Sequence, residues 1–200
     1  MKTLKFLDRE SWLEARKGKI TGTRLKDIVV LKGTGQKKGY YELIAEKVAL
    51  PATSENPMER GSRLEPEALE TFEKETGKKV KKDLVLWVSD ENEDIALSPD
   101  GVIGKNEAVD AKCLNSASHI EAWITKQIPK DYEFQKLQYF IVNPKLKTLY
   151  FAFYDPRVLP KPFFFLTFER KDLEEDIATY LAYQKDLLKK VEEEVLKLTF

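Results

Sequence analysis

The sequence predicts one domain that mixes helices and strands, of α/β or α+β class. Three observations carry this. The apolar residues repeat at helical spacing up to Gly77, alternate at period two or form short runs to Cys113, then return to helix, strand and helix. At 200 residues, 42% hydrophobic and 34% charged, the chain has the size and balance of one globular unit with a sizeable core. No internal repeat, low-complexity tract or domain boundary interrupts 1–200.

Taken in order, Asp8 caps a short helix through Arg16. Thr21 or Thr23 starts another, through Leu25, Ile28 and Val29. Gly33-Thr-Gly-Gln-Lys-Lys-Gly is a basic loop. Tyr40–Leu50 is helical, and Pro51–Pro57 is a linker-like loop. Arg63–Thr76 is a helix with Leu64, Ala68, Leu69 and Phe72 on one stripe, stopped by Gly77. Val80–Val88, Asp94–Leu97, Val102–Ile103 and Ala108–Cys113 are strands. Ser116–Thr125 and Asp131–Val142 are helices. Lys147–Tyr154 alternates Leu149, Phe151 and Phe153 against Tyr150, Ala152 and Tyr154. Pro162–Phe168 is a further strand, and Asp172–Leu198 is a long amphipathic helix.

The bulk numbers exclude several classes. No run of about 18 apolar residues is present, so no membrane span is expected. The early charges of Met1-Lys-Thr-Leu-Lys do not suit a signal peptide. One cysteine, Cys113, precludes an internal disulfide and fits a reducing cytoplasm. One histidine, His119, rules out a His-rich metal site. Net charge is zero, which argues against a general nucleic-acid binder, but the charge is unevenly spread. Arg16–Lys38 holds eight Lys/Arg against Asp27 alone, whereas Glu169–Glu194 holds nine acids and five bases. The first could meet phosphates; the second reads as a solvated helix face.

The chemistry centres on Leu97-Ser-Pro-Asp-Gly and Val109-Asp-Ala-Lys. A tight turn holds Asp100, and the next strand carries Asp110 and Lys112 two residues apart, hence on one face. Carboxylates bind a hard divalent cation, and an adjacent lysine can orient or deprotonate a water, the requirements of metal-dependent phosphodiester cleavage. Three further groups accompany them. Glu65 follows Arg60-Gly61 in what reads as a first helical turn. Gln135 and Gln138 share a helix face beside Tyr132 and Tyr139. Arg16 with Thr21-Gly22-Thr23 can form an anion site at a helix start. Each alone has a structural explanation: a hairpin turn, dipole compensation, a helix rim, a helix cap.

In the order Arg16-Lys-Gly-Lys-Ile-Thr-Gly-Thr, Arg60-Gly-Ser-Arg-Leu-Glu-Pro-Glu-Ala, Ser98-Pro-Asp-Gly, Asp110-Ala-Lys-Cys, Tyr132-Glu-Phe-Gln-Lys-Leu-Gln-Tyr and Tyr150-Phe-Ala-Phe-Tyr-Asp-Pro-Arg, the chain resembles the lambda-exonuclease and YqaJ-like viral recombinase family. The resemblance runs from about Asp8 to the C-terminal helix. It implies a PD-(D/E)XK nuclease core, a central mixed sheet flanked by helices. It implies Mg²⁺, with Mn²⁺ as substitute, on Asp100, Asp110 and the Ala111 carbonyl. Glu65 would complete that site, Lys112 activate water or steady charge, and Gln135 or Gln138 orient the nucleophile or lysine. Arg16, Thr21 and Thr23 would hold a terminal 5′ phosphate, with Lys32, Lys37 and Lys38 in the basic lining.

The implied activity is 5′→3′ digestion of one strand at double-stranded DNA ends, for phage-type recombination. The implied partners are other copies of the chain in a trimeric ring and a single-strand annealing protein. Two departures stand out. Asp110 replaces the usual glutamate, an arm shorter by one C–C bond of about 1.5 Å. The glutamines are separated by two residues instead of one. Two rivals remain: an endonuclease of the same fold, and a non-catalytic DNA-binding protein on a decayed nuclease fold.

Other residues have structural readings. His119 is a packing or helix-start histidine, and Cys113 packs as a small apolar residue. Trp12, Trp87 and Trp123 are core or subunit contacts. Phe163-Phe164-Phe165 is buried sheet. Lys78, Lys79, Lys81 and Lys82 either line DNA or blunt a strand edge.

Overall fold

The structure, a computed structural model, describes residues 8–14, 27, 35–51 and 56–199. The helices are α1 (Arg9–Glu14), α2 (Lys38–Val48), α3 (Pro57–Thr76), α4 (Ser116–Thr125), α5 (Glu133–Val142) and α6 (Glu174–Thr199). The strands are β1 (Trp87–Ser89), β2 (Asn92–Leu97), β3 (Gly101–Ile103), β4 (Glu107–Lys112), β5 (Thr148–Tyr154) and β6 (Phe163–Glu169). Four strands form a mixed sheet in the order β3-β4-β5-β6, and β1-β2 is a separate hairpin. Only β4 and β5 run parallel; β3 and β6 are antiparallel to their neighbours.

Strand β5 is the spine. From Leu149 to Tyr154 every residue is buried, as suits a strand covered on both faces. Leu149, Phe151 and Phe153 enter one core with Leu137, Phe140 and Ile177. Tyr150, Ala152 and Tyr154 enter a second core with Leu64, Leu69 and Phe72 of α3. The alternation read from the sequence therefore separates the two faces correctly. Phe151 and Phe153 are fully buried, and each contributes roughly 1.5–3 kcal/mol by transfer from water. Phe163 and Phe164 are buried on opposite faces, while Phe165 keeps 38% of its surface.

Most boundaries shift by one or two residues from the sequence reading, and three elements differ by more. Helix α3 begins at Pro57, not Arg63, because Asn56 caps it by accepting from the Met58 N–H at 2.9 Å and Pro57 needs no donor at the first helical position. Pro66 stands inside the helix and Gly77, at φ 70°, ends it. The Val80–Val88 strand does not form as a unit. Lys81 bridges Val102, the next residues find no ladder, and Leu84, Val85 and Leu86 are exposed. Strand propensity without a partner does not make a strand. The Asp131–Val142 helix divides into a 3₁₀ turn at Lys130–Tyr132 and α5.

A candidate active site on β4

The register builds the site. Strands β3 and β4 pair antiparallel with Gly101 opposite Val109. One step further along that register sets Asp100 across from Asp110, an arrangement that like charges ordinarily destabilise. Asp100 is anchored by accepting the Ala111 N–H on Oδ2 at 2.8 Å. Gly101 allows this approach: a Cβ there would overlap Val80 Cγ1 and stand 2.8 Å from Val109 Cγ1.

Asp110 is fully buried in the sheet. Its Oδ1 is paired with Lys112 Nζ, and its Oδ2 accepts from Gln135 Nε2 at 2.8 Å. Lys112 is itself buried, with Nζ 4.6 Å from the Tyr132 ring centre and 5.4 Å from that of Phe151. Both rings present their faces to the ammonium group. Burial, opposed by Lys112 and reinforced by Asp100, pushes Asp110 up to about 6. Burial also raises Asp100, against the Ala111 N–H and Lys112. Tyr139 is packed beside both acids and raised well above the ordinary phenol range, chiefly by burial.

A fully buried acid with a second acid beside it is costly to the fold, which marks the place where chemistry, not stability, sets the residues.

Glu65 stands in the third turn of α3, which removes dipole compensation as its reason for being there. Burial and the neighbouring Asp100 raise its carboxyl, opposed by Lys112. It lines a cavity of about 540 Å³ with Pro66, Lys82, Leu84, Ser98 and Asp100. The site thus gathers Glu65, Asp100, Asp110, Lys112 and Gln135 around Ala111. Gln138 is not part of it: Nε2 donates to the Ala96 carbonyl at 3.4 Å, and Oε1 accepts from Gln184 at 2.9 Å. The spacing of the glutamines turns the second toward β2 and α6.

The remaining sequence candidates fall elsewhere. Arg16, Thr21, Thr23 and Lys32 lie outside the described residues. Lys37 and Lys38 are exposed at the start of α2. Lys78 is paired with Glu107 at 2.7 Å and Lys82 with Glu73 at 3.1 Å. Cys113 is pushed up to about 12 by burial, which leaves its thiol unreactive. His119 is fully buried against Phe164 with Nε2 2.9 Å from the Lys161 carbonyl. Trp123 is 38% exposed, with the Lys126 and Lys161 ammonium groups 3.0 Å and 4.8 Å from its ring centre.

Sequence reasoning passed over the buried polar group at the end of β4. Arg60 Nη1 donates to the carbonyls of Cys113 and Leu114, both at 2.8 Å, and Nη2 to Asp155 Oδ1 at 2.8 Å. Ser116 Oγ donates to Asp155 Oδ2 at 2.7 Å, and Arg157 also donates to both oxygens. The available signal was Arg60 four residues before Leu64, on the apolar stripe of α3.

A hard divalent cation suits this donor set. The carboxylates that converge offer oxygen, with the Ala111 carbonyl beside them, and burial together with the neighbouring acid leaves Asp110 in want of more positive charge than Lys112 supplies. Among the described residues no three His, Cys, Asp or Glu side chains stand close enough to enclose an ion by themselves. A cation here would depend on the backbone carbonyl and on water.

Known proteins resemble the chain as a whole. The model of the YqaJ-like viral recombinase domain matches residues 11–145. The uncharacterized protein YqaJ of Bacillus subtilis (strain 168) is 28% identical over 150 residues, covering 73% of this chain. The chain matches over only 46% of that protein's length. Among solved structures, the alkaline exonuclease LHK-Exo from Laribacter hongkongensis superposes with a TM-score of 0.58 at 26% identity, over 94% of this chain and 99% of that one. The structure of LHK-Exo in complex with dAMP gives 0.57 at the same identity and coverage. With a family model that spans well over half of its residues, and with the same mixed sheet and helices as those exonuclease structures, the chain belongs to the YqaJ-like viral recombinase family.

Proposed function

We propose that this chain is a Mg²⁺-dependent deoxyribonuclease that digests one strand of linear duplex DNA from its 5′ end. The observation that carries the reading is the Asp110 cluster: a fully buried carboxylate held between Lys112 and Gln135 and across from Asp100. A stable core has no use for such a group, and hydrolysis of a phosphodiester has. Similarity to an alkaline exonuclease, one structure of which is a complex with dAMP, supports a deoxynucleotide substrate.

Asp100, Asp110 and the Ala111 carbonyl would hold the cation, with Glu65 completing its surroundings. The bound cation supplies Lewis-acid stabilisation of the phosphoryl oxygens and lowers the pKa of water. The residues do the rest. Lys112, beside Asp110 and the Tyr132 and Phe151 rings, stands where a proton can move or negative charge develop. Gln135 fixes the Asp110 carboxylate through its Nε2 donor. Arg16, Thr21 and Thr23 would receive the terminal 5′ phosphate, with Lys32, Lys37 and Lys38 along the duplex. Ring assembly as a homotrimer and transfer of the exposed strand to an annealing protein belong to the same proposal, as does Mn²⁺ as a substitute metal.

The test is digestion of duplex DNA with Mg²⁺, comparing 5′-phosphorylated linear, 5′-hydroxyl linear and closed circular substrates. Loss of the 5′-phosphorylated strand alone, stopped by chelation and by Lys112→Ala, is the expected result. Cutting of circles would replace the exonuclease with an endonuclease. Binding of DNA without cutting of any substrate would replace it with a non-catalytic binding protein.

A further inference from the structure

The Arg60 cluster lies just beyond Lys112, and its geometry is more specific than a fold contact needs. Parallel pairing of β4 with β5 ends at Lys112 opposite Phe153. Carried two residues further, that register would set Leu114 opposite Asp155, but no ladder forms there. The Cys113 and Leu114 carbonyls therefore need other donors, and the Arg60 guanidinium serves both. Its Nη2 is held by Asp155, which is fully buried and accepts also from Ser116 and Arg157. One guanidinium thus joins α3 to the end of β4, and Asp155 ties both to the start of α4 and to the turn after β5.

Two candidate catalytic groups depend on this joint. Lys112 is the residue immediately before Cys113, and Glu65 lies five residues after Arg60 on α3. An arginine fork can hold two carbonyls and a carboxylate in one plane, whereas a lysine offers a single point charge. An apolar contact would pack α3 on the sheet equally well but would leave the strand end free to slide. We propose that Arg60, oriented by Asp155, is a positioning residue for phosphodiester cleavage: it sets the end of β4, and so Lys112, against the helix that carries Glu65. This rests on the nuclease reading above.

The test compares Arg60→Lys and Arg60→Ala with the wild-type protein and with Lys112→Ala, on linear 5′-phosphorylated duplex with Mg²⁺. Folding is checked by circular dichroism, and kcat and KM are read separately. Arg60→Lys should retain the fold and the wild-type KM for DNA, while kcat falls on the order of 10- to 100-fold, the scale of a misplaced catalytic group. Guanidinium ion at low millimolar concentration should restore part of the kcat of Arg60→Ala and nothing to Lys112→Ala. Wild-type kcat in folded Arg60→Lys would overturn the proposal and leave the nuclease reading intact. So would a rise in KM at constant kcat, or loss of activity in Arg60→Ala that guanidinium does not touch. Should Arg60→Ala not fold, the kcat of Arg60→Lys decides alone. Should the wild-type protein cleave nothing, the nuclease reading fails and the positioning role fails with it.

Discussion

Two buried ionic clusters meet strand β4, one around Asp110 on the strand itself and one around Asp155, the residue after β5, at the strand's end, and they are built on opposite terms. Both acids are fully buried. Asp155 is satisfied on every side by Arg60, Arg157 and Ser116, and these bonds outweigh its burial and hold its carboxyl below the usual range. Asp110 has one ammonium, one amide, a second acid beside it and a carboxyl raised to about 6. The first arrangement favours the folded charged form; the second keeps a charge where the fold alone would not. A buried charge marks function when burial outweighs its partners, and marks architecture when its partners outweigh burial.

The largest expected effect tests that contrast directly. Asp155→Ala should destabilise the protein by about 3–5 kcal/mol, because it takes the carboxylate from the buried Arg60 guanidinium and from half-buried Arg157. Asp110→Asn should leave urea-denaturation stability unchanged or higher while lowering cleavage on the order of 10³-fold. Equal destabilisation by both would erase the distinction. Next in size, Gln135→Leu should lower kcat about 10²-fold, whereas Gln138→Leu should stay within roughly threefold of wild type, since its partners are Ala96 and Gln184. Comparable losses in a single-turnover assay would mean that the second glutamine reaches the site.

Smaller is Gly101→Ala, which overpacks Val80 and Val109 and should cost about 1–3 kcal/mol, read as a lower melting temperature. The finest test is pH. Asp155 is lowered on folding, so its contribution is complete above its unfolded pKa, near 4, and is lost as pH falls below that. His119 is lowered chiefly by burial, so neutral His119 favours the fold above about pH 6.5, and that contribution fades as pH drops. Thermal melts of His119→Gln between pH 7 and pH 5 should have a flatter pH dependence than wild type; an identical slope would refute this.

The sequence made legible whatever depends on neighbours in the chain. The alternation of Leu149 to Tyr154 sorts itself onto two faces because a strand has period two. Ser98-Pro-Asp-Gly and Asp110-Ala-Lys could be joined because a turn and a strand fix their directions locally. What failed depends on partners. Leu84, Val85 and Leu86 are strand residues with no strand to pair with, although the same run is paired at Lys81 and at Trp87–Val88. Gln135 and Gln138 share a helix face but differ by roughly 60° around it, enough for only one to meet Asp110. Arg60 and Asp155 are 95 residues apart, and nothing along the chain announces that they meet.

The one parallel pairing in the sheet has a kinetic consequence. Asp110 lies on β4, and its neighbour across the ladder is Phe151 on β5, beyond α4 and α5. Closing that long crossover is the entropically slow part of such a topology, while β3–β4 and β5–β6 close over shorter spans. Asp100 and Asp110 can meet early, when the β3–β4 hairpin forms. Gln135, the Phe151 ring and the Asp155 anchor reach Asp110, Lys112 and Arg60 only after the crossover has folded. A chain emerging during synthesis would therefore hold its acids before it holds the groups that put them to use, and hydrolytic competence would arrive with the last pairing of the sheet.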